Sequence, residues 1–154
     1  DVARQAWLDA PAWQGLRRCD EGTFVLEDWF GLFVAQNMVL DGLLYPLAYQ
    51  HFDVALTQQG GTAVSMLTQF MRDWKAESDK WLDATLKTAA AESPANAAQL
   101  HAWVSKWEAR ALEALAPFAT LALGEAGGAA LNEVHSQWRG RLTKLGVAPQ
   151  GAAA

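Results

Sequence analysis

The stretch at residues 27–52, EDWFGLFVAQNMVLDGLLYPLAYQHF, decides the fold. As a helix it spans about seven turns. Trp29, Phe30, Leu32, Phe33, Val34, Met38, Val39, Leu40, Leu43, Leu44 and Leu47 put apolar side chains on nearly every side of it. A helix apolar all round is covered on most sides by other helices. Asp28, Gln36, Asn37 and Asp41 interrupt the run. No uncharged apolar stretch of about 18 residues remains, which argues against a membrane span. Pro46 removes a backbone donor late in the helix and predicts a kink there.

Around this helix, 154 residues suffice for one domain with a real core. Net charge is -5, the wrong sign for neutralising phosphates, so nucleic acid is an unsuited partner. The single cysteine, Cys19, offers no disulfide framework, and the sequence RRCDEG around it supplies no activating base. A small semi-buried thiol in a reducing cytoplasm is the expectation. No signal peptide is visible, and no initiator Met stands at Asp1, which fits a chain beginning inside a longer product. Eight tryptophans are distributed through the predicted helices, each adding apolar area and one N–H that needs a partner.

The remaining pattern is helical throughout: an all-α chain, with 1–148 as one domain and 149–154 as a flexible tail. A short turn is expected at 3–8. Asp9 is placed to cap a second helix reaching Arg18, with Pro11 in its first turn. The long helix is expected over 24–51. Thr62 is placed to cap a helix to about Glu92, with Leu67, Phe70, Met71, Trp74, Ser78, Trp81, Leu82 and Thr85 spaced three and four apart as its inward stripe. Arg72, Asp79, Asp83 and Lys87 are expected on the opposite, outer face. Ser93 and Pro94 signal a restart, a capping serine followed by proline at the first helical position. The next helix is expected over 94–116, ended or kinked by Pro117, and the last over 129–145, after a connector at 121–128. Gly146 supplies a C-terminal cap for it.

Four segments carry a resemblance: WQGLRR at 13–18, DWFGLFVAQNMVLDGLLYPLAYQHFD at 28–53, GGTAVSMLTQFMRDWKAESDKW at 60–81 and KTAAAESPAN at 87–96. They resemble the β subunit of the hydroxylase component of bacterial multicomponent monooxygenases. The phenol hydroxylase branch is the nearest, with toluene and soluble methane monooxygenases as relatives. The resemblance covers nearly all of this chain and about the C-terminal half of a family β subunit. It implies a ferritin-like helical bundle, here a half-bundle of long antiparallel helices. It also implies an oligomeric hydroxylase whose α subunit holds a carboxylate-bridged di-iron centre, while the β subunit has lost its metal.

A ferritin-like di-iron site draws on Glu-x-x-His pairs. None exists here: Ala48, Ala98 and Asn132 stand three residues before His51, His101 and His135. Through the resemblance, Trp74 and Glu77 of the DWKAE segment fall where a ligand Glu and a ligand His would stand, and a single Glu would fall near Leu40. These three are vestigial ligand positions, and no catalytic or metal-binding residue is expected. Glu77 is expected on a rim, or paired with Gln36, Asn37 or Lys75. Gln36 and Asn37 are expected to hydrogen-bond across helices. Asn132 and His135 share a helix face, but a lone His there is ordinarily structural. His101 is expected to face solvent, and His51 to end the long helix, where its imidazole suits the dipole.

Three functions follow. The first is a non-catalytic structural subunit, or fragment, of a di-iron aromatic hydroxylase, supporting a catalytic α subunit that holds the iron. The second is a stand-alone homodimer binding a small apolar or aromatic ligand in a Trp-lined groove, with Trp29, Phe33, Gln36, Phe70, Trp74 and Trp81 as interface or groove residues. The third, an enzyme in its own right, ranks last for want of a nucleophile–base pair, a metal set or a phosphate loop.

Overall fold

The computed structural model describes residues 1–148, apart from the side chain of Thr62; the tail expected at 149–154 lies outside the described residues. The described residues form helices and turns without a strand, as expected for an all-α half-bundle. We label the helices α1 (Val2–Asp9), α2 (Pro11–Glu21), α3 (Trp29–Gln58), α4 (Thr62–Glu92), α5 (Pro94–Leu123) and α6 (Gly127–Leu145).

The caps differ from expectation at the N-terminus and agree later. Asp1 caps α1, and Ala10 precedes α2 without a side-chain bond, so Asp9 does not serve as its cap. Asp9 instead accepts from Gln5, one turn back in α1. Gly22 ends α2, and α3 starts only at Trp29, where Asp28 accepts from the Phe30 amide at 3.0 Å. α4 begins at Thr62 with Gly61 before it, so Thr62 is the first helical residue rather than the cap. Ser93 caps α5 through the Asn96 amide at 3.1 Å, with Pro94 following, and Gly146 closes α6 at φ 72°.

Two prolines do not end their helices. Pro117 lies within α5, which continues to Leu123, and the expected 121–128 connector shrinks to a tight turn at Gly124–Ala126. Pro117 is exposed, so the carbonyl it leaves without a donor faces the wet side of the helix. Pro46 lies inside α3, and the turn following it, Leu47–Phe52, is π-helical, as is Val34–Leu40. α3 therefore passes beyond His51 to Gln58, and the helix-end role expected for that imidazole does not apply.

α3 is the core helix. Val34, Met38, Val39, Leu43 and Leu47 are fully buried in one cluster with Leu86 of α4, Leu100, Val104, Trp107 and Leu115 of α5, and Val134, Trp138 and Leu142 of α6. By length and apolarity, Trp29–Gln58 and Pro94–Leu145 could each cross a bilayer. The burial of α3 inside this cluster is that of a core helix. Small residues set the closest approaches. A Cβ on Gly15 would lie 2.9 Å from the Ala114 Cα, holding α2 against α5. One on Gly127 would lie 2.6 Å from the Ala119 carbonyl carbon, where α6 starts against α5.

α6 reaches α3 through Trp138. Its indole N–H donates to the Met38 carbonyl at 2.8 Å inside the first widened turn, and both groups are buried. Gly42 makes room for the indole, since a Cβ there would meet Nε1 at 2.9 Å.

The orientation of α4 reverses the expectation. Leu67 is 72%, Phe70 71%, Trp81 65% and Trp74 50% exposed. Of the expected inward stripe only Leu82 is buried, with Met71, Ser78 and Thr85 half-buried. Arg72, Asp79 and Asp83, expected outside, face the other helices, while Lys87 is exposed as expected. Ion pairs and the buried Leu82 and Leu86 hold this orientation. Arg72 donates to Asp53 at 3.1 Å and to the Tyr49 carbonyl at 2.8 Å, both on α3. Arg141 of α6 binds Asp83 at 2.6 Å and Asp79 at 2.9 Å.

Two substitutions test the α3–α6 contact. Trp138→Phe should lower the unfolding free energy by about 2–4 kcal/mol, through a vacated volume and an unpaired Met38 carbonyl. Gly42→Ala should cost about 1–3 kcal/mol by overpacking against the indole. Urea denaturation followed by circular dichroism measures both.

Candidate functional site

The three vestigial ligand positions do not converge. Leu40 is sealed in the core at 3% exposure. Trp74 is half-exposed on α4. Glu77 points to solvent and pairs with Lys80 at 2.6 Å rather than with Gln36, Asn37 or Lys75. Among the described residues, no three His, Cys, Asp or Glu side chains lie close enough together to hold a metal ion. The donors present do not fit a di-iron pair.

The histidines have other partners. His135 Nε2 lies 2.6 Å from Glu108 Oε1, and Arg139 Nε lies 3.0 Å from the same oxygen. This ties α6 to a buried carboxylate of α5, and Asn132 takes no part. His101 is partly exposed, with Nε2 3.2 Å from the Gly146 carbonyl. Cys19 is buried, and burial pushes its thiol above the ordinary value against the pull of Arg110. That is the inert thiol expected.

The polar residues of α3 gather on the α4 side. Gln36 donates to Asp41 at 3.3 Å, within its own helix rather than across to a neighbour. Asn37, Asp41 and Tyr45 of α3, with Trp74, Lys75, Ser78, Asp79, Trp81 and Leu82 of α4 and Phe33, line a cavity of about 50 Å³. Farther along, Asp53 accepts from Thr68 at 2.8 Å, Ser65 at 3.0 Å and Arg72. The Thr68 hydroxyl, then Ser65 and Arg72, hold its carboxyl below the usual value.

The expected groove set splits into three places. Phe33, Trp74 and Trp81 share the small cavity, with the Phe33 and Trp81 rings 5.3 Å apart. Gln36 lies beside it through its bond to Asp41, and Phe70 is on the open outer face of α4. Trp29 instead lines a separate, larger groove of about 670 Å³ with Phe30, Trp103, Leu100 and the small residues Ala84, Thr85, Thr88 and Ala89.

Asp41 and its α4 partners escaped the sequence reading, in which Asp41 served only as an interruption. Part of the signal was present: an acid within VLDGLL, in a helix that is apolar on most of its faces, is drawn into the protein unless it lies on the stripe that also holds Gln36 and Asn37.

The arrangement has known counterparts. A family model described as Methane/Phenol/Alkene Hydroxylase matches residues 1–93. The chain belongs to that hydroxylase family. It is 56% identical over 147 residues to the oxygenase component DmpL of phenol 2-monooxygenase from Pseudomonas sp. (strain CF600), covering 96% of this chain and 44% of the relative. The oxygenase component MhpL of the Acinetobacter pittii (strain PHEA-2) phenol 2-monooxygenase is 42% identical, over 96% of this chain and 43% of that protein. The crystal structure of xenon-pressurised phenol hydroxylase from Pseudomonas sp. OX1 superposes with a TM-score of 0.91 at 40% identity, covering 99% of this chain and 45% of that one. The chain thus spans less than half the length of the relatives it matches, and its helical fold is that of the phenol hydroxylase chain.

The Asp53 cluster gives a pH test. A depressed folded value means the carboxylate stabilises the fold above its ordinary value near 3.8, and the stability is lost as pH falls through the folded value. Asp53→Asn should therefore weaken the protein at neutral pH and remove part of its acid sensitivity below about pH 4. Urea midpoints at neutral and acid pH check this.

Proposed function

We propose that this hydroxylase-family chain is a non-catalytic, structural part of a multicomponent aromatic monooxygenase of the phenol or toluene type. It supports a catalytic α subunit and holds no iron itself. The di-iron centre belongs to that α subunit. The observation that carries the reading is the outward face of α4, where Met66, Leu67, Phe70, Trp74 and Trp81 stand exposed along one helix. Contiguous exposed apolar surface of this kind marks an interaction site, and Trp is among the residues most enriched where binding energy concentrates. The scattered donors support the iron-free part: Leu40 is enclosed by apolar neighbours, and Glu77 is turned outward to Lys80. The setting proposed is cytoplasmic, with neither nucleic acid nor membrane as partner.

A second reading is self-association. The same α4 face could pack on a second copy about a two-fold axis. The 670 Å³ groove beside Trp29, Phe30 and Trp103 would then be a candidate pocket for an apolar ligand.

Size-exclusion chromatography with light scattering, with iron measured on the same peak, separates these readings. The structural reading expects an iron-free chain that is rescued from aggregation by co-expression with a family α subunit. An iron-free homodimer, indifferent to that subunit, favours self-association. Stoichiometric iron overturns both. Phe70→Asp should leave the unfolding free energy within about 0.5 kcal/mol, because the ring is exposed. It should abolish whichever association occurs, by placing a charge in the apolar contact.

A further inference from the structure

A ladder of alternating charges runs from α6 through α4 towards α3. Arg141 of α6 bridges Asp83 and Asp79 of α4, at 2.6 and 2.9 Å. Lys75, one turn before Asp79, pairs with it and is itself largely buried. Lys75 and Asp79 line the small cavity between α3 and α4, and Asp41 of α3 lines it too. Asp79 and Asp83 each have a cation within ion-pair distance. Asp41 is buried, and its one side-chain hydrogen bond among the described residues comes from the neutral Gln36 amide at 3.3 Å. With all five groups ionised, the ladder carries one negative charge in excess, and it falls on the carboxylate without a close counter-ion. A buried, incompletely paired charge is the group that takes up a proton.

We propose that Asp41 is a proton-operated latch between α3 and α4. Protonated, it leaves the ladder neutral and holds α4 against α3 around the cavity. Ionised, it loosens that contact. Its position suits the role, because its amide bonds to the Gln36 carbonyl five residues back, where the first widened turn rejoins regular helix. The cavity, at about 50 Å³, has room for one or two waters, each occupying roughly 30 Å³ in the liquid, so ionisation can draw solvent in.

The groups around Asp41 act in both directions. Burial pushes its carboxyl up to about 6, while Lys75 of α4, Gln36 and Asn37 pull it down and Asp20 of α2 adds to the rise. Tyr45, one turn on, is a neighbour whose own hydroxyl is raised, by burial first and then by Asp41. Asp79 of α4 faces the same cavity and is already held by Lys75 and Arg141. No described charged side chain of α5 or α6 lines it, so Arg141 acts through Asp79. A folded value raised above the unfolded one means that the proton stabilises the fold. That contribution is complete below about 3.8 and is lost as pH rises through about 6.

The test is a carboxyl-carbon NMR titration of the unmodified chain between about pH 4.5 and 8, following the Trp74 and Trp81 indole N–H signals in the same samples. The latch requires Asp41 to titrate near 6 and both indoles, which line the cavity, to shift with that midpoint. Asp41→Asn should hold the indoles at their low-pH positions throughout and should melt above the native chain at about pH 7.5. Lys75→Met should move the Asp41 midpoint upward by about half a unit or more, since the nearest cation is gone. An Asp41 midpoint in the ordinary carboxylate range overturns the proposal, and that measurement needs no variant. So does an indole shift that survives in Asp41→Asn, or an Asp41→Asn chain less stable than the native one at the higher pH.

Discussion

Two carbonyls of α3 accept hydrogen bonds from other helices: Met38 from the Trp138 indole and Tyr49 from the Arg72 guanidinium, each at 2.8 Å. Both lie in its π-helical turns. A π turn pairs residues five apart, so entering and leaving it shifts the backbone ladder by one residue and disturbs the pairing of nearby carbonyls. A buried carbonyl left without a donor costs about 1–3 kcal/mol. In each widened turn of the central helix a neighbouring helix brings a donor to one carbonyl. Trp138 does so for α6, and Arg72 does so for α4. Both neighbouring helices thus contact α3 where it departs from regular geometry.

This constraint explains the orientation of α4. Its aromatic stripe and its charged stripe are both regular, and hydrophobic burial alone would turn the aromatic one inward. Turning Arg72 inward satisfies Tyr49 and meets Asp53, and the same rotation brings Asp79 and Asp83 to Arg141. The aromatic stripe is then left outside. For a chain that spans less than half the length of its matched relatives, that is a consistent result. A hydrophobic stripe states that a face is to be covered, and not which polypeptide covers it.

The sequence was legible where local rules act alone. Ser93 with Pro94 marked the start of α5, and Gly146 the end of α6, because capping geometry depends only on residues a few positions apart. The largely apolar stretch at 27–52 announced a central helix for the same reason, since periodicity is a local property. Pro117 misled, because whether a proline ends a helix depends on what receives the orphaned carbonyl, whereas the disturbance expected at Pro46 appears as the widened turn that follows it. Asp9 misled because it is itself the last helical residue of α1, which leaves Ala10 at the cap position. The faces of α4 were out of reach: their order is set by Arg141, 58 residues away from Asp83, and by a widened turn that no periodicity encodes. The same distance hid the site residues. Asp41, Lys75 and Arg141 belong to three helices, and nothing short of their packing brings them to one ladder.

The outer stripe and the inner ladder are not independent. Trp74 and Trp81 belong to both, lining the cavity beside Asp41 while presenting area to solvent. Any partner that covers these indoles removes water from the approach to Asp41. Removing water disfavours the ionised carboxylate and raises its proton affinity further. Linkage then runs both ways: a partner that favours the protonated form binds that form more tightly, by the same factor. A half-exposed tryptophan wall between a buried acid and an open apolar face is thus a physical route by which assembly and proton uptake reinforce each other. The route needs no movement of the helix backbone, only the exclusion of solvent from one side of α4.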